Sequence, residues 1–443
     1  MQIMDTFSTV KMPEELHMLV SRIPSLSVFD AVVAGTAIWA FLKLVRMSRQ
    51  VRTTRLRGPP SPSFIFGVGK ILMEAEDPAS IYESWADEYG AAYEAPATLG
   101  RRRVILYDPK AIAHFDAKQT WTYVRTPVAK MAIEHGFGRG VFWADGESHA
   151  RQRKSLTPAF SIAAIRNLTP IFYDSAYKVK GAWNALMESS GEDGAIIDVQ
   201  NWMNYISLDT IGLAGFSHDF GALDGKHASV TEVFDSFTSS TPASAINIGV
   251  GLLADVFPSL IRLPTRRQRL LRKLNDAMEE ISNVLLARTK QEMDAGIVGD
   301  KEEKSVIGLL STSPSLTWSK QSRDRGPSQS FTSIVWGEDA KVFNPSRWLE
   351  DDHGNSGIPA KAKEVQGHRH LLTFSDGPRI CLGKNFAVTE FKAVLSVLVR
   401  NFVFELRDGQ ETKIEMGRGF LPRPRVAGEV GCKTPLRVRP YTG

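Results

Sequence analysis

The residues of this 443-residue chain best suited to chemistry lie around Cys381, in the run Phe374-Ser375-Asp376-Gly377-Pro378-Arg379-Ile380-Cys381-Leu382-Gly383. The following stretch, LGKNFAVTEFKAVLSVLVRNF, sets Leu382, Phe386, Phe391, Val394, Leu395 and Leu398 at helical spacing. Cys381 is therefore expected where a Gly/Pro-rich loop becomes a helix. The partial positive charge of a helix N-terminus favours a thiolate, which is the form that ligates a metal. Gly377 and Gly383 carry no side chain to block a flat macrocycle approaching the backbone, and loop amides can donate to the sulfur. A buried cysteine acting as a small hydrophobe is the usual fate of a lone Cys, but it explains none of this pattern.

A zinc site would recruit His368 and His370 with Cys381, at a spacing that matches no common zinc motif. The second cysteine, Cys432 in VGCKTP, has no ligand or base beside it in sequence and reads as an inert thiol. Two cysteines are too few for a disulfide framework and fit a reducing compartment. A second candidate constellation lies in ADGESHARQRKSLTPAF. Asp145 can cap a helix there, Glu147 falls in its first turn, and His149 and Arg153, four apart, share one face. Taken alone, that pair is more often a solvated face.

These residues need a scaffold, and the composition allows one. With 43% hydrophobic, 9% aromatic and 23% charged residues the chain can bury a substantial core and is neither disordered nor fibrous. The strands expected in YGAAYEAPATLGRRRVILYDPKAI surround a glycine-containing turn and end at Asp108-Pro109 before a helix. Most of the rest is helical. From Thr265 to Met293, Leu270, Leu271, Leu274, Met278, Ile281, Val284 and Leu285 recur at three- and four-residue steps and predict a long amphipathic helix. Ala243–Pro264 is apolar and broken by two prolines. It reads as a pocket mouth, a segment dipping into lipid, or plain core.

At the other end, residues 26–45 (LSVFDAVVAGTAIWAFLKLV) are long and apolar enough to predict a transmembrane anchor after a lead at 1–25. The basic run RMSRQVRTTRLR and the proline-rich Gly58-Pro59-Pro60-Ser61-Pro62 follow, giving a stiff hinge over 46–63. The net charge of +5 is thus explained by a membrane flank, and nucleic acid is not expected as a partner.

The pattern FxxGxRxCxG followed by Phe386-Ala387 resembles the signature of the cytochrome P450 superfamily. The strand pair near Val104, SLDTIGLAGFSHDFGAL and WGEDAKVFNPSRWLE are similar to the same family, so the likeness covers nearly all the chain except about 311–333. It implies a mainly α fold with small β-sheets, with the haem-thiolate domain over 64–443. It implies Cys381 as the proximal iron ligand, Phe374 packed beside it, Arg379 on a haem propionate, and His149 and Arg153 on the propionates from their helix. It also implies electrons from NADPH through a separate reductase, an apolar substrate of secondary-metabolite or lipid type, and a catalytic body on the cytoplasmic side of the endoplasmic reticulum.

Two family motifs are missing. The oxygen-activating helix with its acid and threonine, and the helix bearing Glu-x-x-Arg, should stand between Val306 and Trp336. That stretch is instead serine-rich and broken by Pro314 and Pro327, which reads as a linker over about 311–333. A helix crossing a large domain needs roughly 30 residues for about 45 Å, more than this stretch can hold. Asp209-Thr210 reads as a decoy in an earlier helix, and Glu415 and Arg418 lie in the terminal strand region. Arg347, which in the family joins a network with the Glu-x-x-Arg pair, is expected to be destabilising by about 3–5 kcal/mol if buried without partners. The apolar stretches Thr126–Gly140 and Ala243–Pro264 are the expected pocket walls. A catalytically impaired haem-binding remnant and an incomplete gene model stand beside the active enzyme as alternatives.

Overall fold

The computed structural model describes residues 32–41, 56–226 except 76 and 192, 245–294 except 255 and 264, 333–417 except 341, 352 and 353, and 423–442 except 430. Besides a helix at 32–41 and two single turns at Ser333–Trp336 and Ala360–Lys363, its α-helices among the described residues are, in chain order, α1 (Gly69–Glu74), α2 (Pro78–Tyr89), α3 (Pro109–Ala117), α4 (Pro127–Phe137), α5 (Gly146–Leu156), α6 (Ile162–Ser190), α7 (Val199–Phe216), α8 (Ala245–Ala254), α9 (Arg266–Asp294) and α10 (Lys384–Asn401). Three small antiparallel sheets accompany them: β1 (Ala92–Pro96) with β2 (Arg102–Leu106), the set β3 (Ala195–Asp198), β7 (Pro435–Pro440) and β4 (Phe402–Leu406) in that order, and β5 (Ile414–Gly417) with β6 (Arg423–Val426). This is the mainly α architecture with small sheets that the sequence implies.

The core is built on α6. Ser161 starts this 29-residue helix by accepting the Ala164 N–H at 3.2 Å, and the chain leaves it at Gly191, whose φ of +85° suits a glycine. Phe172, Ala176, Val179, Trp183 and Met187 recur at three- and four-residue steps along one buried face. Onto that face pack α7 and α10, with Phe386 meeting Phe172 edge-on at 4.9 Å and Val394, Val397 and Leu398 clustered around the fully buried Trp183. The β3–β7–β4 sheet closes the end of this cluster through Ala195, Ile197, Phe402 and Val438. Truncating Trp183 to Ala here is expected to be destabilising by about 3–5 kcal/mol.

The strand pair forms where its alternation places it, with Tyr93 opposite Ile105 and a tight turn at 98–100. Asp108 then caps α3 by accepting the Ala111 N–H at 2.8 Å, with Pro109 as the first helical residue. The amphipathic stripe of Thr265–Met293 appears as α9 within one residue of its predicted ends.

Arg347 differs from expectation. It is buried, yet its guanidinium bonds the Asp339 carboxylate at 2.8 Å and the Asp339 carbonyl at 3.0 Å, and it lies over the rings of Trp336 and Trp348. Local partners within eleven residues replace the distant network, so this arginine is not an unpaired buried charge. Glu415 pairs with Arg425 across the β5–β6 hairpin, and Arg418 lies outside the described residues.

Of the predicted anchor at 26–45, residues 32–41 are described, as an exposed helix; the remainder, the lead at 1–25, most of the hinge and the linker at 311–333 lie outside the described residues, apart from Ser333. Among the described residues no helix is long and apolar enough to cross a membrane.

Candidate functional site

The loop that carries Cys381 is closed on itself by its backbone. The Cys381 N–H donates to the Phe374 carbonyl at 2.8 Å, Ser375 N–H to Leu372 O at 2.8 Å, and Ile380 N–H to Gly377 O at 3.0 Å. Three residues after the cysteine α10 begins, with Gly383 as its N-cap and no side chain capping it, so its first N–H groups stay directed toward the loop. Cys381 is half-buried and Cys432 is buried. Phe374 lines the loop and meets the His368 ring edge-on, while His370 places Nδ1 3.2 Å from the Val365 carbonyl. Among the described residues no group of three or more His, Cys, Asp or Glu side chains is placed to hold a metal ion.

The two loop glycines serve different ends. Gly377 has φ +64°, and a Cβ there would lie 2.3 Å from the Asp116 carbonyl at the end of α3. It is a packing glycine, and macrocycle clearance is not what requires it. At Gly383 a Cβ would meet only Phe160, at 3.7 Å, so the space beside the cysteine on that side is open.

A cationic nest lies beside the loop. The Arg379 guanidinium, nearly buried, bonds the Ala144 carbonyl at 2.8 Å, touches the Phe142 carbonyl and pairs with the Asp145 carboxylate. Asp145 also pairs with Lys130 and faces Arg125 at 3.9 Å. The expected capping role of Asp145 is thereby corrected. Its side chain makes no cap bond to α5, because three cations compete for the carboxylate and win over a single N–H. His149 and Arg153 share the buried face of α5 as predicted. Burial, then the charges of Arg379, Arg153 and Arg125, push His149 down to about 4, with Asp145 acting the other way. Burial also lowers the Arg153 guanidinium, and Cys381 opposes that shift, which places Arg153 in the field of the sulfur.

Sequence reasoning named His149, Arg153 and Arg379 but missed Arg125, Lys130 and Trp143. Lys130 lies 4.8 Å from the centre of the Trp143 ring, and the Trp143 Nε1–H is buried without a hydrogen-bond partner among the described residues. Only the basic character of the stretch ahead of α5 hinted at them, since their meeting depends on how α4 folds back. The nest gathers Arg125, Lys130 and Arg379 around the Asp145 carboxylate, with Arg153 close by and a spare buried donor on Trp143. Such a donor set suits a ligand with paired carboxylates. With an open approach to a half-buried thiol beside it, the site fits a dicarboxylate macrocycle whose metal takes the sulfur.

The predicted pocket walls do meet. α4 packs against the turn at Pro258–Arg262 and against α9, and Asn275 donates to the His135 carbonyl at 2.9 Å. Asp209 and Thr210 lie buried on α7, and Asp209 accepts the N–H groups of Ala222 and Leu223.

A family model described as Cytochrome P450 matches residues 57–321 and 333–427. Cytochrome P450 monooxygenase claP of Ampulloclitocybe clavipes is 41% identical, over 94% of this chain and 99% of its own. Cytochrome P450 monooxygenase claQ of the same fungus is 42% identical over 93% and 98%. A more distant relative, Cytochrome P450 monooxygenase 205 of Postia placenta, is 24% identical over 96% and 99%. The first of these alignments runs over 538 positions while this chain supplies 94% of 443 residues, so roughly 120 positions of the relative face no residue here. The break in the family match, at 322–332, falls inside the serine-rich stretch.

Proposed function

Since the chain belongs to the cytochrome P450 family, we propose that it is a membrane-anchored monooxygenase that binds haem through Cys381 and inserts one atom of O2 into an apolar small molecule, of secondary-metabolite or lipid type. The observation that carries this reading is the gathering of half-buried cations beside Cys381. In it, Arg379, Arg153 and the neutral His149 hold the haem propionates together with Arg125 and Lys130, and Trp143 offers its free N–H. Cys381 would ligate the iron as a thiolate, positioned by the loop bond to Phe374 and by α10. Bound haem supplies oxygen activation, which a thiolate ligand favours by pushing electron density onto the iron. Phe374, Gly377 and Gly383 shape the loop around it.

The reading includes an anchor at 26–45 after the lead at 1–25, a hinge at 46–63 and a body from 64 to 443 on the cytoplasmic side of the endoplasmic reticulum. Electrons come from NADPH through a separate reductase. The apolar walls of α4 and the 245–263 segment, which pack together, support an apolar substrate.

A second reading is favoured by the roughly 120 aligned positions without a counterpart and by the break at 322–332. In it this chain retains the ligating side but lacks the helices that deliver protons to bound oxygen. It is then a haem-binding remnant, or an incomplete version of a longer product. Positioned proton transfer typically contributes about a hundred- to ten-thousand-fold. Reconstitution with an NADPH-dependent reductase and apolar substrates tests the first reading by oxygenated product. Haem uptake without turnover supports the second. Sequencing the expressed transcript then separates a true deletion from lost exons.

A further inference from the structure

The helix that begins beside Cys381 is pinned halfway along by a polar pair, the buried Thr210 and the half-buried Glu390. Phe386, Glu390 and Ala393 share one face of α10, and Thr210 and Ala214 share one face of α7; Phe386, Ala393 and Ala214 belong to a single apolar cluster with Phe172 of α6. Thr210 is fully buried, its hydroxyl 2.7 Å from the Ile206 carbonyl and in hydrogen-bond contact with a Glu390 carboxyl oxygen. A threonine hydroxyl has one proton. If Glu390 is ionised, that proton serves either the carboxylate or the Ile206 carbonyl. If Glu390 is protonated, it donates to Thr210, which donates to Ile206, and both bonds are made.

The surroundings favour the second arrangement. On α7, Asp209 uses both carboxylate oxygens on the N–H groups of Ala222 and Leu223, and the cluster members from α6, Ile165 and Phe172, are apolar. Burial pushes Glu390 up to about 7, with only the Thr210 hydroxyl opposing it.

We propose that Glu390 is a positioning residue for Cys381: as a neutral acid it ties α10 to α7 through Thr210, and its ionisation loosens the helix that starts at the cysteine loop. The claim about the sulfur rests on Cys381 being the haem ligand; the claim about the helix does not. On ionisation the proton leaves to solvent, Thr210 turns to the carboxylate and the Ile206 bond is lost.

The test uses the full chain at pH 6 to 9, with Glu390→Gln as the key variant, because the glutamine amide donates to Thr210 and never ionises. In the haem-loaded, reduced, carbon monoxide-bound protein, the thiolate-type absorption band should decline as pH rises through about 7 in the wild type and stay level in Glu390→Gln. In the haem-free chain, hydrogen exchange of α10 amides, corrected for base catalysis, should accelerate toward about tenfold per pH unit above that point, again only in the wild type. Matching pH profiles for wild type and Glu390→Gln in the exchange measurement overturn the proposal. A normal exchange result with no haem uptake at any pH leaves the pin intact and refutes the haem reading instead. Glu390→Ala, if folded, should exchange fast at every pH; slow exchange would also overturn the proposal.

Discussion

His149, buried, and Glu390, half-buried, are titratable groups that folding pushes toward the neutral form, and by different means. Around His149 the charges of Arg379, Arg153 and Arg125 add to burial, so the imidazole is kept neutral by an excess of cations. Around Glu390 the apolar seam pushes the carboxyl up to about 7, with the Thr210 hydroxyl acting the other way. The first region is incomplete as a set of charges and is suited to receiving an anion. The second is complete within itself and suited to holding two helices together. One half of the site is thus built to bind and the other to position what binds.

The largest expected effect comes from breaking the cationic side. Arg379→Ala leaves Asp145 with Lys130 and Arg125 but takes the donor from the Ala144 and Phe142 carbonyls as well as one charged partner from the carboxylate, and thermal or urea unfolding should register a loss of about 3 kcal/mol. Arg379→Lys should recover only part, because a single ammonium cannot span the Ala144 carbonyl and the carboxylate as the guanidinium does.

Next in size are the two pH limbs of the haem-free chain, which run in opposite directions. The His149 value falls from 6.5 to about 4 on folding, so as pH drops below 6.5 the unfolded chain takes the proton first and stability is lost down to about 4. Glu390 rises from 4.5 to about 7, so its contribution is present at low pH and is lost as pH climbs from 4.5 through about 7. Each limb is worth on the order of 2–3 kcal/mol, and they largely cancel in the wild type. Unfolding free energies of His149→Phe should therefore decline with rising pH over this window, and those of Glu390→Gln should increase. Parallel slopes in the two variants would erase the distinction between the regions.

Smaller still is the effect of Gly377→Ala, which forces a side chain into a φ of +64°. The backbone alone is expected to cost about 1–2 kcal/mol, and the clash with the Asp116 carbonyl must add to it, with loosened packing of α3 readable by hydrogen exchange. Least of all, Cys432→Ala should leave the haem spectrum unchanged, since that thiol is buried, lies in the chain between β6 and β7 and is not part of the Cys381 loop.

Much of the scaffold was legible because its signals are local. Asp108-Pro109 announced the start of α3, the 3–4 spacing of α9 fixed its span, and the loop-to-helix passage at Cys381 is where the glycines and prolines put it. The site was legible only where one short stretch carries it. His149 and Arg153 are four residues apart and were found; Arg125, Lys130 and Trp143 reach the same place through the fold of α4, and nothing in their spacing says so. Asp145 was misread for the same reason: a helix N-cap is a local inference, and the carboxylate answers to cations brought from elsewhere in the chain. Arg347 reversed the pattern, as partners within eleven residues satisfied a charge that family likeness had tied to distant ones.

The central claim, that Cys381 ligates haem within the cationic nest, is tested most directly by the carbon monoxide difference spectrum of the purified, haem-loaded, reduced chain beside Cys381→Ser. The wild type should give the red-shifted Soret band of a thiolate ligand and the serine variant should lose it. A band in the wild type typical of a nitrogen ligand, or a thiolate band that survives in Cys381→Ser, would contradict the account.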